Sequence, residues 1–413
     1  RNQDVGLHAV TNDAAPGTLT GPLSKLLRQL RLRWEDFALV PQTQSSIVFP
    51  GCTLRFTNDF EFFEQQVVER FPAEKDNFAR LVQRIAEYDP MALDQPEIST
   101  REVLAEELND PLLIEMLLCP TMFYSSATPD DLEWPQFVIM FRSIFHEGFG
   151  RPLEGVRLII KKLVRKFRGL GGELRLRSGV QKIVSDSDHA TGVLLDDGQF
   201  IEAKNVLSSA GNFETMRMCD QAVDLSPPGE ISFVESIYSL DRQPADLGHD
   251  QTIVFFNDSA TFSYRRPDVP VDVTSGIVCS PNNFHYGEPS GEGRMRITAL
   301  ADPGHWMQLP PDEYTQQKQE WAERVLTSTL RHVPDFRDHI VDTDIFTPRT
   351  IRKFTGHENG CVYGAPRKIR DGCTHLRNLF LCGTDQGFLG IIGSMLSGIT
   401  IANLHLLRPS KSH

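Results

Sequence analysis

Toward its end this 413-residue chain runs the apolar triplet Leu379-Phe-Leu381 into Cys382-Gly-Thr-Asp-Gln-Gly-Phe-Leu-Gly-Ile-Ile-Gly-Ser-Met-Leu-Ser-Gly398. The pattern predicts a short buried strand, a turn through Gly383, Thr384 and Asp385, and an apolar helix opening at Gly390, Ile391, Ile392 and Gly393. Glycine at a helix start leaves backbone N–H groups unobstructed, and the positive end of the helix dipole favours carbonyl oxygens and anions. A second run, Val206-Leu-Ser-Ser-Ala-Gly211, also passes from apolar to small residues. Asp385 is the carboxylate best placed to meet a ligand hydroxyl or phosphate. From the residues alone, tight packing of a glycine-lightened helix on a sheet explains the pattern as well as a bound cofactor does.

Other chemistries lack their residues. The histidines show no His-x-x-x-His spacing, so no metal is expected. There is no Gly-x-Ser-x-Gly elbow of a hydrolase and no phosphate loop ending in Gly-Lys-Ser/Thr. Seven cysteines without a Cys-x-x-Cys pair favour a reducing cytoplasm over a disulfide framework.

The run from Leu381 to Gly398 resembles the C-terminal flavin-binding segment of the phytoene desaturase and carotenoid isomerase family, within the FAD-dependent amine oxidases. So does Thr347-Pro-Arg-Thr-Ile351, continuing through Phe354-Thr-Gly356, Glu358-Asn-Gly360 and Tyr363-Gly364. A third match is Gly171-Gly-Glu-Leu-Arg-Leu176 with Val180 to Val184, Thr191 to Leu195, Gly198 and Val206 to Gly211. The resemblance implies an α/β fold, in which a Rossmann-like FAD-binding domain is interleaved with a substrate domain of mixed sheet and helices. It implies FAD as cofactor, with the Val180 backbone at the adenine and Ala210 and Gly211 passing close by. Gly383, Thr384, Asp385, Gly390, Ile391, Ile392 and Gly393 would lie along the flavin. His8 and Tyr363 lie in segments that relatives bring toward the active site, where either could move a proton.

The implied activity is hydride transfer on an apolar substrate of terpenoid or carotenoid type, by a desaturase or isomerase. A flavin amine oxidase is the alternative enzyme, and a non-catalytic apolar-ligand carrier or interaction protein the alternative outside enzymes. Two departures stand out: Thr384 occupies the place where relatives often carry Asp or Glu, and Phe388-Leu389-Gly390 replaces their Pro-Gly-x-Gly. No Gly-x-Gly-x-x-Gly follows a strand, so the FAD-binding domain is expected to be incomplete at its N-terminal side.

The expected division places residues 1–58 as a remnant of the FAD-binding domain and entry to the substrate domain, and 59–148 as the helical part of the latter. Residues 149–212 form the middle of the FAD-binding domain, 213–349 the substrate sheet, and 350–413 the closing FAD-binding segment. Trp134, Phe137, Phe141 and Phe145 recur at three, four and four residues, which puts four rings on one helix face, ordinarily a core. Val156 to about Arg168 reads as a helix whose cations are a solvated face. Glu173 to Ser178 alternates as a strand, followed by a hairpin from Gln181 to Leu195. Phe233–Leu240, Thr252–Asn257, Thr261–Tyr264, Gly276–Ser280 and Arg294–Leu300 are predicted strands of the second sheet.

The net charge of -13 argues against nucleic acid and against general attraction to anionic lipid. No apolar run reaches about 18 residues, so no membrane-spanning helix is expected. The expected location is cytoplasmic, with peripheral membrane contact as a route to an apolar substrate.

Overall fold

The computed structural model describes residues 22–90, 97–219, 226–287 and 291–407. They divide into two compact units, one comprising the chain up to Leu158 with Ile231–Thr350, the other Ile159–Glu230 with Ile351 onward.

The first unit is built on a seven-stranded sheet. Its order is Ile340–Phe346, Ser232–Leu240, Gly293–Ala301, Ser275–Cys279, Ile253–Asn257, Ser45–Phe49 and Cys52–Phe56. All neighbours are antiparallel except Ile253–Asn257 with Ser45–Phe49, which run parallel. Strand side chains alternate between faces. On one face Val234, Tyr238, Val254, Phe256, Val278 and Ile297 pack with Trp306 and with Val325 and Leu326 of the helix Pro311–Thr329. On the other, Phe255 stacks on Phe56 and meets Tyr124 edge-on.

Two expectations change here. Residues 45–56 supply two strands of this sheet, so 22–58 belong with the first unit. Thr261–Tyr264 forms no strand, because its groups bond to a neighbouring loop instead of a ladder: Tyr264 N–H donates to Asp130 Oδ1 at 2.8 Å and its hydroxyl to the Ser126 carbonyl at 2.9 Å.

Trp134, Phe137, Phe141 and Phe145 are all buried. Phe145 stacks on Phe63 at 4.2 Å, and Phe60 stacks on His146 at 3.8 Å. The helix Trp134–Phe141 continues as a π turn through Arg142–His146. The neighbouring Glu147 has a buried Oε2 without a hydrogen-bond partner. Burial raises its carboxyl from 4.5 to about 8 against the opposing pull of Arg142. A carboxyl whose folded pKa is raised stabilises fully below its unfolded value, and the contribution is lost as pH rises from 4.5 toward about 8. Glu147→Gln, neutral throughout, is therefore expected to raise the melting temperature of the first unit at pH 8 and to leave it nearly unchanged at pH 4, as read by calorimetry.

The second unit contains the helix Arg157–Gly169 from Ile159 onward, and an antiparallel sheet of Val180–Asp186, His189–Leu195 and Phe200–Glu202. It also contains a parallel pair, Leu379–Leu381 with Val206–Ser208. Ile183, Ala190, Leu376 and Leu379 form a small core between them. Asn378 fastens the two sheets: its Oδ1 accepts from Ala190 N–H at 2.7 Å, and its Nδ2 donates to the carbonyls of Ala190 and Lys204 at 2.8 and 2.7 Å. The helix Asn212–Met218 stays with this unit, since Cys219 bridges Ile183 of the hairpin. The units thus divide after 158, 230 and 350, where the sequence suggested 148, 212 and 349.

Glu173–Ser178, expected as a strand, is irregular. Its alternation is real, but it forms no ladder with a described strand; Arg175 binds Glu173 and Gln199 at 2.6 and 2.9 Å. No helix among the described residues is long and apolar enough to cross a membrane.

Candidate functional site

The parallel pair sets up the site. Leu379 lies opposite Val206, Phe380 opposite Leu207 and Leu381 opposite Ser208, so both strands end at the same level. Each then enters a glycine turn and a helix: Gly211 leads into Asn212–Met218, and Gly383 leads through the short turn Thr384–Gln386 toward Gly390–Ile401. The space beyond the carboxyl ends of adjacent parallel strands is where such sheets bind ligands.

Only glycine suits two positions in these turns. Gly211 has φ of +102°, and a Cβ there would run into the Glu214 carboxylate and come within 3.1 Å of the His357 ring. Gly364 has φ of +68°, and a Cβ there would strike Asp385 Oδ1. At Gly383, the N–H donates to Ser397 Oγ at 2.7 Å, which ties the turn to the helix that follows. That helix begins after Leu389 with no side chain capping its first N–H groups, at Gly390, Ile391, Ile392 and Gly393.

Asp385 is the brace of the assembly. It is 2% exposed, and both carboxylate oxygens are engaged. Oδ2 accepts from Asn212 N–H at 2.6 Å in the first turn, and Oδ1 from Ala365 N–H at 2.9 Å. Lys368 Nζ stands 3.5 Å from Oδ1 and donates to the Tyr363 carbonyl at 2.6 Å. The carboxylate that the sequence marked as ligand-facing is therefore occupied by protein donors.

A second cluster supports the Gly211 turn. Glu214 Oε1 accepts from Glu358 N–H at 2.7 Å and lies 3.6 Å from His357 Nδ1. Burial pushes the Glu214 carboxyl up, but His357 and the backbone donors outweigh it and hold the group below the ordinary range. Gln386 Oε1 is buried without a hydrogen-bond partner, whereas His357 Nδ1 faces the Glu214 carboxylate.

The remaining candidates are placed as follows. Ala210 sits between Ser208 and Gly211, its N–H directed at Ser208 Oγ at 3.4 Å. Thr384 opens the turn after Gly383. Val180 begins the hairpin strand and is 38% exposed; its link to the turns runs through Ile183 and Cys219. Tyr363 is half-buried on the loop that Lys368 closes. His8 lies outside the described residues. Lys368, Glu214 and His357 were not foreseen. Lys368 follows Pro366-Arg367 and reads as one more solvated cation, while Glu214, an acid in the first turn of a helix, was the more detectable of the three.

The donor set suits a cofactor that rides close to backbone and carries oxygens toward two helix starts. Among the described residues, no group of three or more His, Cys, Asp or Glu could hold a metal. Prolycopene isomerase 2 from an Oncidium hybrid cultivar is 25% identical over 277 residues, 62% of this chain and 46% of that protein. The lycopene-forming phytoene desaturase of a Paracoccus species is 24% identical over 265 residues, 58% of this chain and 52% of that protein. This chain is a homologue of those isomerases and desaturases. It spans about half the length of the curated relatives it matches. No family profile matches it.

Among solved structures, an oxidoreductase from Methanosarcina mazei covers 93% of this chain with 85% of its own, at a TM-score of 0.62 and 15% identity. A variant of putrescine oxidase gives the same coverage at a TM-score of 0.58 and 15% identity. The fold is α/β and is shared with these oxidoreductases, one unit carrying the parallel strand pair and the other the mixed sheet.

Removing one partner of a buried pair strands the other. Asp385→Asn is expected to lower the stability of the second unit by about 3–5 kcal/mol in urea unfolding. Asp385→Asn with Lys368→Met should recover part of that loss, because the ammonium goes with the carboxylate.

Proposed function

We propose that this chain is a flavin-dependent oxidoreductase of the desaturase or isomerase type, acting on an apolar substrate of carotenoid or terpenoid character. The observation that carries the reading is the pair of parallel strands ending level, each in a glycine turn and helix, braced together by Asp385. The names of the homologues point to polyene substrates.

FAD would be held by Ala210 and Gly211 in the first turn, by Gly383 and Thr384 in the second, which Asp385 braces to the first, and by the N–H groups of Gly390, Ile391, Ile392 and Gly393. Val180 would serve the adenine end. When bound, the isoalloxazine ring supplies the hydride acceptor or donor, and chemistry of that kind asks little of side chains. This chain's residues bind, orient and keep water away, with Tyr363 as the described candidate for moving a proton.

The purified full chain, incubated with FAD and then freed of unbound FAD by gel filtration, is expected to elute yellow, and with free FAD at a hundredfold excess over the dissociation constant it should gain about 2.7 kcal/mol of stability. Gly211→Ala, which drives a methyl into Glu214, should stay colourless while retaining a folded first unit. A wild-type chain that neither colours nor gains stability with FAD would favour an apolar-ligand carrier and refute the redox reading.

A further inference from the structure

The mixed sheet of the first unit has one face that is covered at one end and open at the other. Residues directly opposite in register share a face. Across neighbouring strands the register runs Phe346, Glu235, Thr298, Ile277, Phe255, and the next row on the same face is Ile237, Arg296, Cys279, Ile253. At the Phe255 end the helix Pro111–Ser125 lays Tyr124 against the face, and Phe255 and Ile277 are buried. Toward the other end Thr298, Glu235, Phe346 and Ile237 are only half-buried.

One ion pair sits in this band. Arg296 is 8% exposed, and its Nε and Nη2 both donate to the same atom, Glu235 Oε1, the Nε at 2.7 Å. Glu235 Oε2 and the hydroxyl of Thr298, directly opposite it, form no hydrogen bond among the described residues. Burying a charge pair costs desolvation that the mutual attraction barely returns, and apolar residues of similar volume are often as stable. A pair kept here with one oxygen unused calls for a reason other than stability. The charge around it is unequal: burial raises the Cys279 thiol, and of the charges that act on it Arg296 and Arg151 lower it while Glu235 raises it, two cations to one anion.

We propose that this band holds an apolar chain that carries a hydroxyl group, the hydroxyl donating to Glu235 Oε2 and accepting from Thr298. A bare hydrocarbon laid on the same face would desolvate both polar groups and give them nothing in return. A cationic amine could donate to Glu235 but would enter beside two guanidiniums, and a carboxylate would set its own charge against Glu235. An isoprenoid alcohol meets neither objection. The inference rests on the apolar-substrate part of the proposed function and narrows it to hydroxylated members; none of its residues lies in the glycine turns.

Tritiated geranylgeraniol, carried through gel filtration by the full chain, tests it, with four unlabelled competitors: geranylgeraniol itself, geranylgeranylamine, geranylgeranoic acid and the hydrocarbon of the same chain without the hydroxyl. The alcohol is expected to compete at least about tenfold better than each of the other three, the scale of one hydrogen bond to a charged group. Glu235→Met with Arg296→Met removes both charges together; it should still bind the hydrocarbon but lose the alcohol's advantage. Thr298→Val, of nearly the same shape, should reduce that advantage and leave hydrocarbon binding as it was. Circular dichroism of each variant, unchanged from wild type, keeps the comparison on the folded chain. Equal competition by alcohol and hydrocarbon, stronger competition by the amine or the acid, an advantage that survives in the double variant, or no binding of the labelled alcohol would each overturn the proposal. An alcohol preference in a chain that takes up no FAD would uphold it while the redox reading fell.

Discussion

The second unit hangs on one buried carboxylate. Asp385 takes N–H groups from Asn212 and Ala365, and an ammonium from Lys368 stands beside it, so the Asn212 turn and the Ala365–Lys368 loop meet on its two oxygen atoms. A carboxylate this deeply buried is tolerated because every approach to it is a donor. The consequence is geometric: with Asn212 fixed, the helix after Gly211 is held at a set distance from the turn after Gly383. Two strand–turn–helix pieces are thereby held together, which is what the proposed flavin site requires.

The turns themselves were legible because their signals are local. Apolar triplets at Val206 and Leu379, followed by clusters of small residues, announce strand ends and helix starts without any knowledge of the rest. The aromatic stripe from Trp134 to Phe145 was legible for the same reason, and it is core. What the chain does at a distance was not. Nothing in the local pattern of Ser45–Phe56 or Ile340–Phe346 announces that they complete a sheet centred on residues 232–301. The Lys368–Asp385 pair, 17 residues apart across the strand Leu379–Leu381, is equally silent.

Glu173–Ser178 shows the opposite failure, in which a true local signal lacks its partner. Alternation predicts a strand only if a ladder is available, and here the segment is left with Leu174 and Leu176 in solvent. The same physical fact links fold to surface. Apolar side chains that find no core beside them leave Ile160 and Phe167 of the helix Arg157–Gly169 exposed as well.

The account stands or falls on the two turns forming a single flavin site. Amide hydrogen exchange of the full chain with and without FAD addresses this directly. The prediction is joint slowing across residues 209–212 and 383–393, with the strand Ile253–Asn257 of the first unit unchanged. Slowing confined to one turn, or absent from both, would contradict it.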